Sequence, residues 1–202
     1  MAPVDLKAAF LHVIDDHRWL AASGCSWNLV GANAANETKQ EAHRLLPNID
    51  VSILDSLLVH ARSLVDFYTK RQPRRDDITL RGFGLALDPL LCADLTKYKK
   101  PIEIHLLHLT HWRDFDFRTQ HSTGGAAMTD RPNWNSEANK IVELILEKAL
   151  KNISEQGNAG WPLAFKALLE ASKDRYHNKF SVWPSNLSEK SDVERYLKSL
   201  GL

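Results

Sequence analysis

Cysteine is scarce in this chain, and its scarcity limits the kinds of site the protein can hold. Only Cys25 and Cys92 occur among 202 residues, and they do not form a CxxC pair. The sequence therefore does not predict a zinc knuckle, a dithiol redox centre or a disulfide framework. Chains without disulfides are typical of a reducing compartment, so we expect a cytoplasmic protein.

Long apolar runs and an excess of one charge are also missing. No run approaches the roughly 18 apolar residues of a membrane span, and no basic segment followed by an apolar one indicates a signal peptide. The 26 lysines and arginines balance 25 acidic residues, which leaves a net charge of +1. We therefore expect no membrane partner, and RNA binding would require a local basic site rather than an overall field.

Apolar residues recur mainly at helical spacing. The clearest pattern runs from Val51 to about Tyr68, where apolar side chains return every three or four positions. Weaker patterns predict further helices over about 4–22, 27–46, 88–98, 101–117, 136–153, 161–176 and 191–201. Few segments alternate with a period of two. We expect an all-α fold, an irregular multi-helix bundle, in a single helical domain over 1–202. Its core would span about 1–156, with a C-terminal helical extension over about 157–202.

Several of these boundaries depend on single residues. Gly24 is expected to end the first helix, and Pro47 the second. Pro101 is expected to begin a new helix that is separate from the one before it. A capping-box pattern over 191–194 is expected to begin the last helix.

The segment IHLLHLTHWRDFDFRTQH, residues 104–121, contains four of the nine histidines. A histidine titrates near neutral pH, and an arginine beside it can hold a phosphate or a carboxylate. His108 with Arg113, and His60 with Arg62, therefore suit acid/base catalysis on an anionic ligand. A structural role for these histidines, as hydrogen-bonded core or surface residues, is the alternative.

A metal site is a further interpretation of the same histidines. His60, His105 and His108 would be among the ligands, with Asp66 or His17 available from other helices. No HExxH, HxxxH or ExxH unit occurs on these helices, so the metal is left unknown. No motif predicts an organic cofactor or a nucleophile elbow, and we expect no cofactor.

Two segments resemble a known kind of protein. They are HARSLVDF, residues 60–67, with the pattern HARxLxDF, and HLTHWR, residues 108–113, with the pattern HLTxxR. Their combination resembles an uncharacterised bacterial all-helical family related to the HEPN superfamily. The resemblance implies a helical bundle, often a homodimer, that cleaves RNA without a metal or binds nucleotides. It departs from active HEPN nucleases, in which histidine follows arginine after four to six residues, because seven residues separate Arg113 from His121.

The resemblance also implies that the helices over 51–68 and 101–117 face each other. Their polar residues would then line one shared seam: His60, Arg62, Asp66, His108, Thr110 and Arg113. Three hypotheses follow. The seam acts on or binds RNA or nucleotide; it is a structural ion-pair network, including Asp66 with Arg113, in a non-catalytic interaction or dimerisation domain; or it holds a metal.

Overall fold

The structure is a computed structural model that describes residues 5–31, 37–46, 49–70, 77–112 and 133–202. Within these ranges the side chains of 107–112, Thr38, His43 and Asn135 are not part of the description. The predicted end of the helix over 101–117 lies outside the described residues.

The described residues form helices and no strand, which confirms the all-α irregular bundle. The helices are α1 (Leu6–Val30), α2 (Glu37–Leu45), α3 (Ile49–Thr69), α4 (Pro89–Trp112), α5 (Trp134–Glu143), α6 (Leu150–Ser154), α7 (Trp161–His177) and α8 (Lys190–Ser199). A π-helical segment, Leu144–Ala149, joins α5 to α6, and short 3-10 turns cover Leu80–Phe83 and Ser185–Leu187. Among the described residues, no helix is long and apolar enough to cross a membrane.

Helix α1 is central to the bundle because it packs against both α3 and α7. Its Phe10 is fully buried, with its ring 5.2 Å from that of Phe165 and 5.3 Å from that of Trp161. Phe83 joins the same group, 4.7 Å from Trp161. Residues before and after position 157 thus belong to one hydrophobic cluster. The predicted division into a core and a C-terminal extension stays a prediction.

Gly24 does not end α1, and the prediction that it would is wrong. The helix continues to Val30, so Trp27–Val30 belongs to α1 and α2 begins later, at Glu37. A Cβ atom on Gly24 would lie 3.0 Å from the Tyr176 ring and 3.0 Å from a methyl group of Val142. The glycine is therefore needed for the close approach of neighbouring side chains rather than for a turn.

Pro101 also fails to begin a new helix, because α4 runs through it as one element. A proline inside a helix lacks the N–H that would bond the carbonyl four residues earlier, here that of Lys97. The predicted capping box is wrong as well, since α8 begins at Lys190 and its cap residue, Glu189, makes no side-chain capping bond. By contrast, α3 and α7 lie where their periodicity predicted them.

Candidate active site

Helix α3 carries three of the sequence-predicted site residues, His60, Arg62 and Asp66, and it packs against α1 and against α4. Arg62 and Asp66 contact α4, whereas His60 and Ser63 contact α1. The predicted contact between α3 and α4 is present. The prediction of one shared seam is wrong in one respect. His60 contacts α1, whereas Arg62 contacts α4.

The α3–α4 contact is an ion-pair network. Arg62 contacts both Asp66 and Glu103, and Lys99 donates to Asp66 at 2.8 Å. Burial raises the pKa of Asp66, but the hydrogen bonds from Lys99 and Arg62 outweigh it and hold the pKa below its usual value. Within the described residues, both charged partners of Arg62 are thus carboxylates at the contact between α3 and α4. The pair of Asp66 with Arg113 stays a prediction, since Arg113 lies outside the described residues.

Replacing Arg62 with methionine is expected to lower the free energy of unfolding by about 1–3 kcal/mol, since it removes the charged partner of the partly buried Glu103 and leaves Asp66 with Lys99 alone. Only 20% of the Arg62 side chain is exposed. Urea unfolding measures the effect. Arg44→Met is the matched control, because Arg44 and Glu41 form an exposed pair at 2.6 Å, and solvent screening leaves such a pair little effect on stability. Equal losses in both variants would contradict a structural role for the network.

A second polar cluster lies between α1 and α3. The Nδ1 atom of His60 lies 2.8 Å from Oδ1 of Asp16, and Ser63 Oγ donates to Oδ2 of Asp16 at 2.5 Å. Burial raises the pKa of Asp16, but the hydrogen bonds from His60 and Ser63 outweigh it, so its pKa is lowered. An ionised carboxylate only accepts hydrogen bonds, so Nδ1 of His60 carries the proton. In the neutral imidazole, Nε2 then holds a free lone pair.

Aromatic and cationic groups adjoin this histidine. The Trp19 indole is stacked on His60 with ring centroids 6.2 Å apart and planes inclined by 14°, and half of Trp19 is exposed. The guanidinium carbon of Arg18 lies 5.9 Å from the centroid of the Trp19 ring. In the described part of the chain, no carboxylate pairs with Arg18. We refer to these residues together as the His60 cluster: Asp16, Arg18, Trp19, His60 and Ser63.

The remaining predicted residues divide into two groups. His108 lies on α4, but its side chain is outside the description, and Arg113 lies outside it entirely. His105 approaches Asp55 at 3.3 Å, and the buried His17 bonds Tyr68. Across the described ranges, no group of three or more His, Cys, Asp or Glu side chains could hold a metal.

Sequence reasoning missed Asp16, Arg18 and Trp19 on α1, and Lys99 and Glu103 on α4. A weak signal existed on α1, because Asp16 and Trp19 are three apart and share a helix face. The spacing does not reveal that Asp16 pairs with His60, because the register of α1 against α3 depends on tertiary packing.

Comparison of the chain with models of known protein families, with curated protein sequences and with solved structures gave no match. The function must therefore be argued from the geometry of the chain itself.

Proposed function

We propose that the protein binds RNA or nucleotide at the His60 cluster and that His60 acts there as a general base. One observation carries the proposal: the Asp16 carboxylate fixes the His60 tautomer, a half-exposed indole is stacked on that imidazole, and over the indole lies a guanidinium that no carboxylate of the described residues pairs with. Histidine oriented by a carboxylate is a recurring general-base arrangement. The kinship with HEPN proteins remains a hypothesis that agrees with metal-free chemistry on RNA.

Each member of the cluster has a role in this proposal. Trp19 stacks on a nucleobase, and Arg18 pairs with the phosphate. His60 Nε2 takes the proton from a ribose 2′-hydroxyl, whose oxygen attacks the adjacent phosphorus. The bond from phosphorus to the 5′-oxygen breaks, and that oxygen takes a proton from water. The products are a 2′,3′-cyclic phosphate and a 5′-hydroxyl. His108 and Arg113 stay predicted participants, and Arg62 and Asp66 are assigned to the scaffold.

Replacing Trp19 with alanine is expected to weaken the binding of a fluorescein-labelled oligouridylate about 10-fold, because a base stacked on an aromatic ring contributes roughly 1–3 kcal/mol. Fluorescence anisotropy in EDTA measures the dissociation constant. Affinity should fall as salt increases, since Arg18 contacts a phosphate.

Phe180→Ala is the matched control for this experiment. Phe180 is an aromatic side chain with 81% exposure that lies outside the His60 cluster. Its removal should leave the dissociation constant unchanged. Equal weakening in the two variants would indicate nonspecific aromatic contact, and absence of binding by the wild-type protein would refute the proposal.

A non-catalytic interaction or dimerisation domain is the second candidate function. The ion pairs of Arg62 with Asp66 and Glu103 favour this candidate, because they connect α3 to α4 and so give these charged residues a structural role. This candidate predicts no RNA binding and a homodimer by light scattering. A cytoplasmic location is proposed under both candidates.

A further inference from the structure

Helices α4 and α5 enclose a groove that the His60 cluster does not use. Its volume is about 570 Å³, which lies within the range of small-molecule sites. The wall from α4 consists of Asp94, Lys97, Tyr98 and Pro101, and the opposite wall of Asn133, Glu137, Lys140, Glu143, Leu144 and Lys148. Both walls therefore combine ionisable side chains with an apolar surface.

Each wall contains an irregular turn of helix. On one side, Pro101 interrupts the hydrogen bonding of α4. On the other, the backbone is π-helical over Leu144–Ala149, where the N–H of Leu150 bonds the carbonyl of Ile145. π-Helical turns are rare and occur frequently at functional sites. Two such irregularities on one groove are the first sign that it is built to hold a ligand.

The π-helical segment changes which side chains reach the groove. In a regular α-helix, residues five apart point about 140° away from each other. Where the backbone bonds connect residues five apart, Glu143 and Lys148 lie on the same side of the helix. Both line the groove.

Most charges in the groove are already paired. Lys97 bonds Asp94 at 2.6 Å, Lys140 bonds Glu137 at 2.6 Å, and the Tyr98 hydroxyl donates to Glu137 at 2.8 Å. Glu143 and Lys148 are exposed, and among the described residues neither has a hydrogen-bond or ion-pair partner. With respect to the described residues, the groove thus offers one free carboxylate and one free ammonium group beside an apolar surface.

We propose that this groove binds a free α-amino acid with an apolar side chain. Glu143 pairs with the ammonium group of the ligand, and Lys148 pairs with its carboxylate. The side chain of the ligand packs against the Tyr98 ring, Pro101 and Leu144. A zwitterion matches the two opposite free charges, whereas a phosphate-rich ligand would face the carboxylates of the groove. The proposal is independent of the function of the His60 cluster.

Calorimetric titration with L-leucine tests the site directly. L-Leucine should bind the wild-type protein, and L-leucinamide and N-acetyl-L-leucine, which each lack one charge, should bind at least about 10-fold more weakly. Lys148→Gln should weaken L-leucine binding by a similar factor while leaving L-leucinamide unchanged. Glu143→Gln should weaken L-leucine binding by a similar factor and leave the binding of N-acetyl-L-leucine unchanged.

The control is Lys166→Gln, an exposed lysine on α7 that does not line the groove. It should bind L-leucine as the wild type does. Absence of binding by the wild type, equal binding of the blocked analogues, or unchanged binding by Lys148→Gln would each overturn the proposal. Circular dichroism of each variant confirms that a loss of binding is not a loss of folding.

Discussion

Replacing His60 with glutamine is expected to lower the rate of RNA cleavage in EDTA by about 100-fold or more, because general-base catalysis typically contributes 10²–10⁴ in rate. The glutamine amide still donates a hydrogen bond to Asp16, so the contact between α1 and α3 is kept. What it removes is the lone pair that Nε2 provides. The measurement is the initial rate on a single-stranded oligonucleotide, with the cyclic phosphate product identified by mass spectrometry.

His177→Gln is the matched control for this experiment. His177 is an exposed histidine that, like the more buried His60, is bonded to a carboxylate, with its Nε2 2.7 Å from Glu147. Its replacement should leave the rate at the wild-type value, which excludes a general effect of removing histidine. If wild type and His60→Gln cleave equally, His60 is not the base. If neither cleaves, the catalytic part of the proposal fails, and RNA binding is judged by the Trp19 variant alone.

His17 is expected to make the fold sensitive to acid. Its ring is fully buried, with Nδ1 2.7 Å from the carbonyl oxygen of Val13 and Nε2 2.7 Å from the Tyr68 hydroxyl. Because Nδ1 donates to the carbonyl, Nε2 accepts from Tyr68 in the neutral ring. Burial lowers the pKa of His17 from 6.5 to about 4, although the bond to Val13 and the charge of Asp16 oppose the shift.

The direction of the effect follows from proton linkage. Between pH 6.5 and about 4 the unfolded chain binds a proton at His17 and the folded chain does not, so the free energy of unfolding falls as pH falls. The stabilisation is fully present above pH 6.5 and is lost on approaching about pH 4. The loss amounts to roughly 3 kcal/mol.

A double variant isolates this contribution. His17→Leu with Tyr68→Phe removes the titrating ring and its buried hydroxyl partner together, so no polar group is left unpaired between them. Urea unfolding across the pH range should show a loss for the wild type that exceeds that of the double variant by roughly 3 kcal/mol. Parallel curves would mean that His17 is protonated in the folded state or reached by water.

Features that depend on local interactions were predictable from the sequence, and features that depend on tertiary contacts were not. The helix α3 was predictable because its apolar residues repeat without interruption, and its contact with α4 followed from the resemblance. The helix boundaries predicted at Gly24 and Pro101 were wrong because both residue types end isolated helices, whereas here tertiary packing holds the helix together on each side of them. The tight contact of Gly24 with Tyr176 has no signature in the local sequence.

The candidate site was only half predictable for a related reason. His60 was identified from its residue type and neighbours, but the face of α3 on which it lies could be learned only from the packing of α1. One turn of helix separates Arg62 from Asp66, so their pairing was accessible from spacing. Asp16 and Trp19 are distant in sequence from His60, and they became visible as partners only in the fold.

A nitrogen–proton correlation spectrum of the protein, recorded during titration with a short oligouridylate in EDTA, tests the proposed nucleic-acid site most directly. We expect progressive shifts of the Trp19 indole N–H and of the His60 imidazole signals, with the signals of His177 unmoved. Shifts confined to other residues, or an unchanged spectrum, would contradict a nucleic-acid site at the His60 cluster.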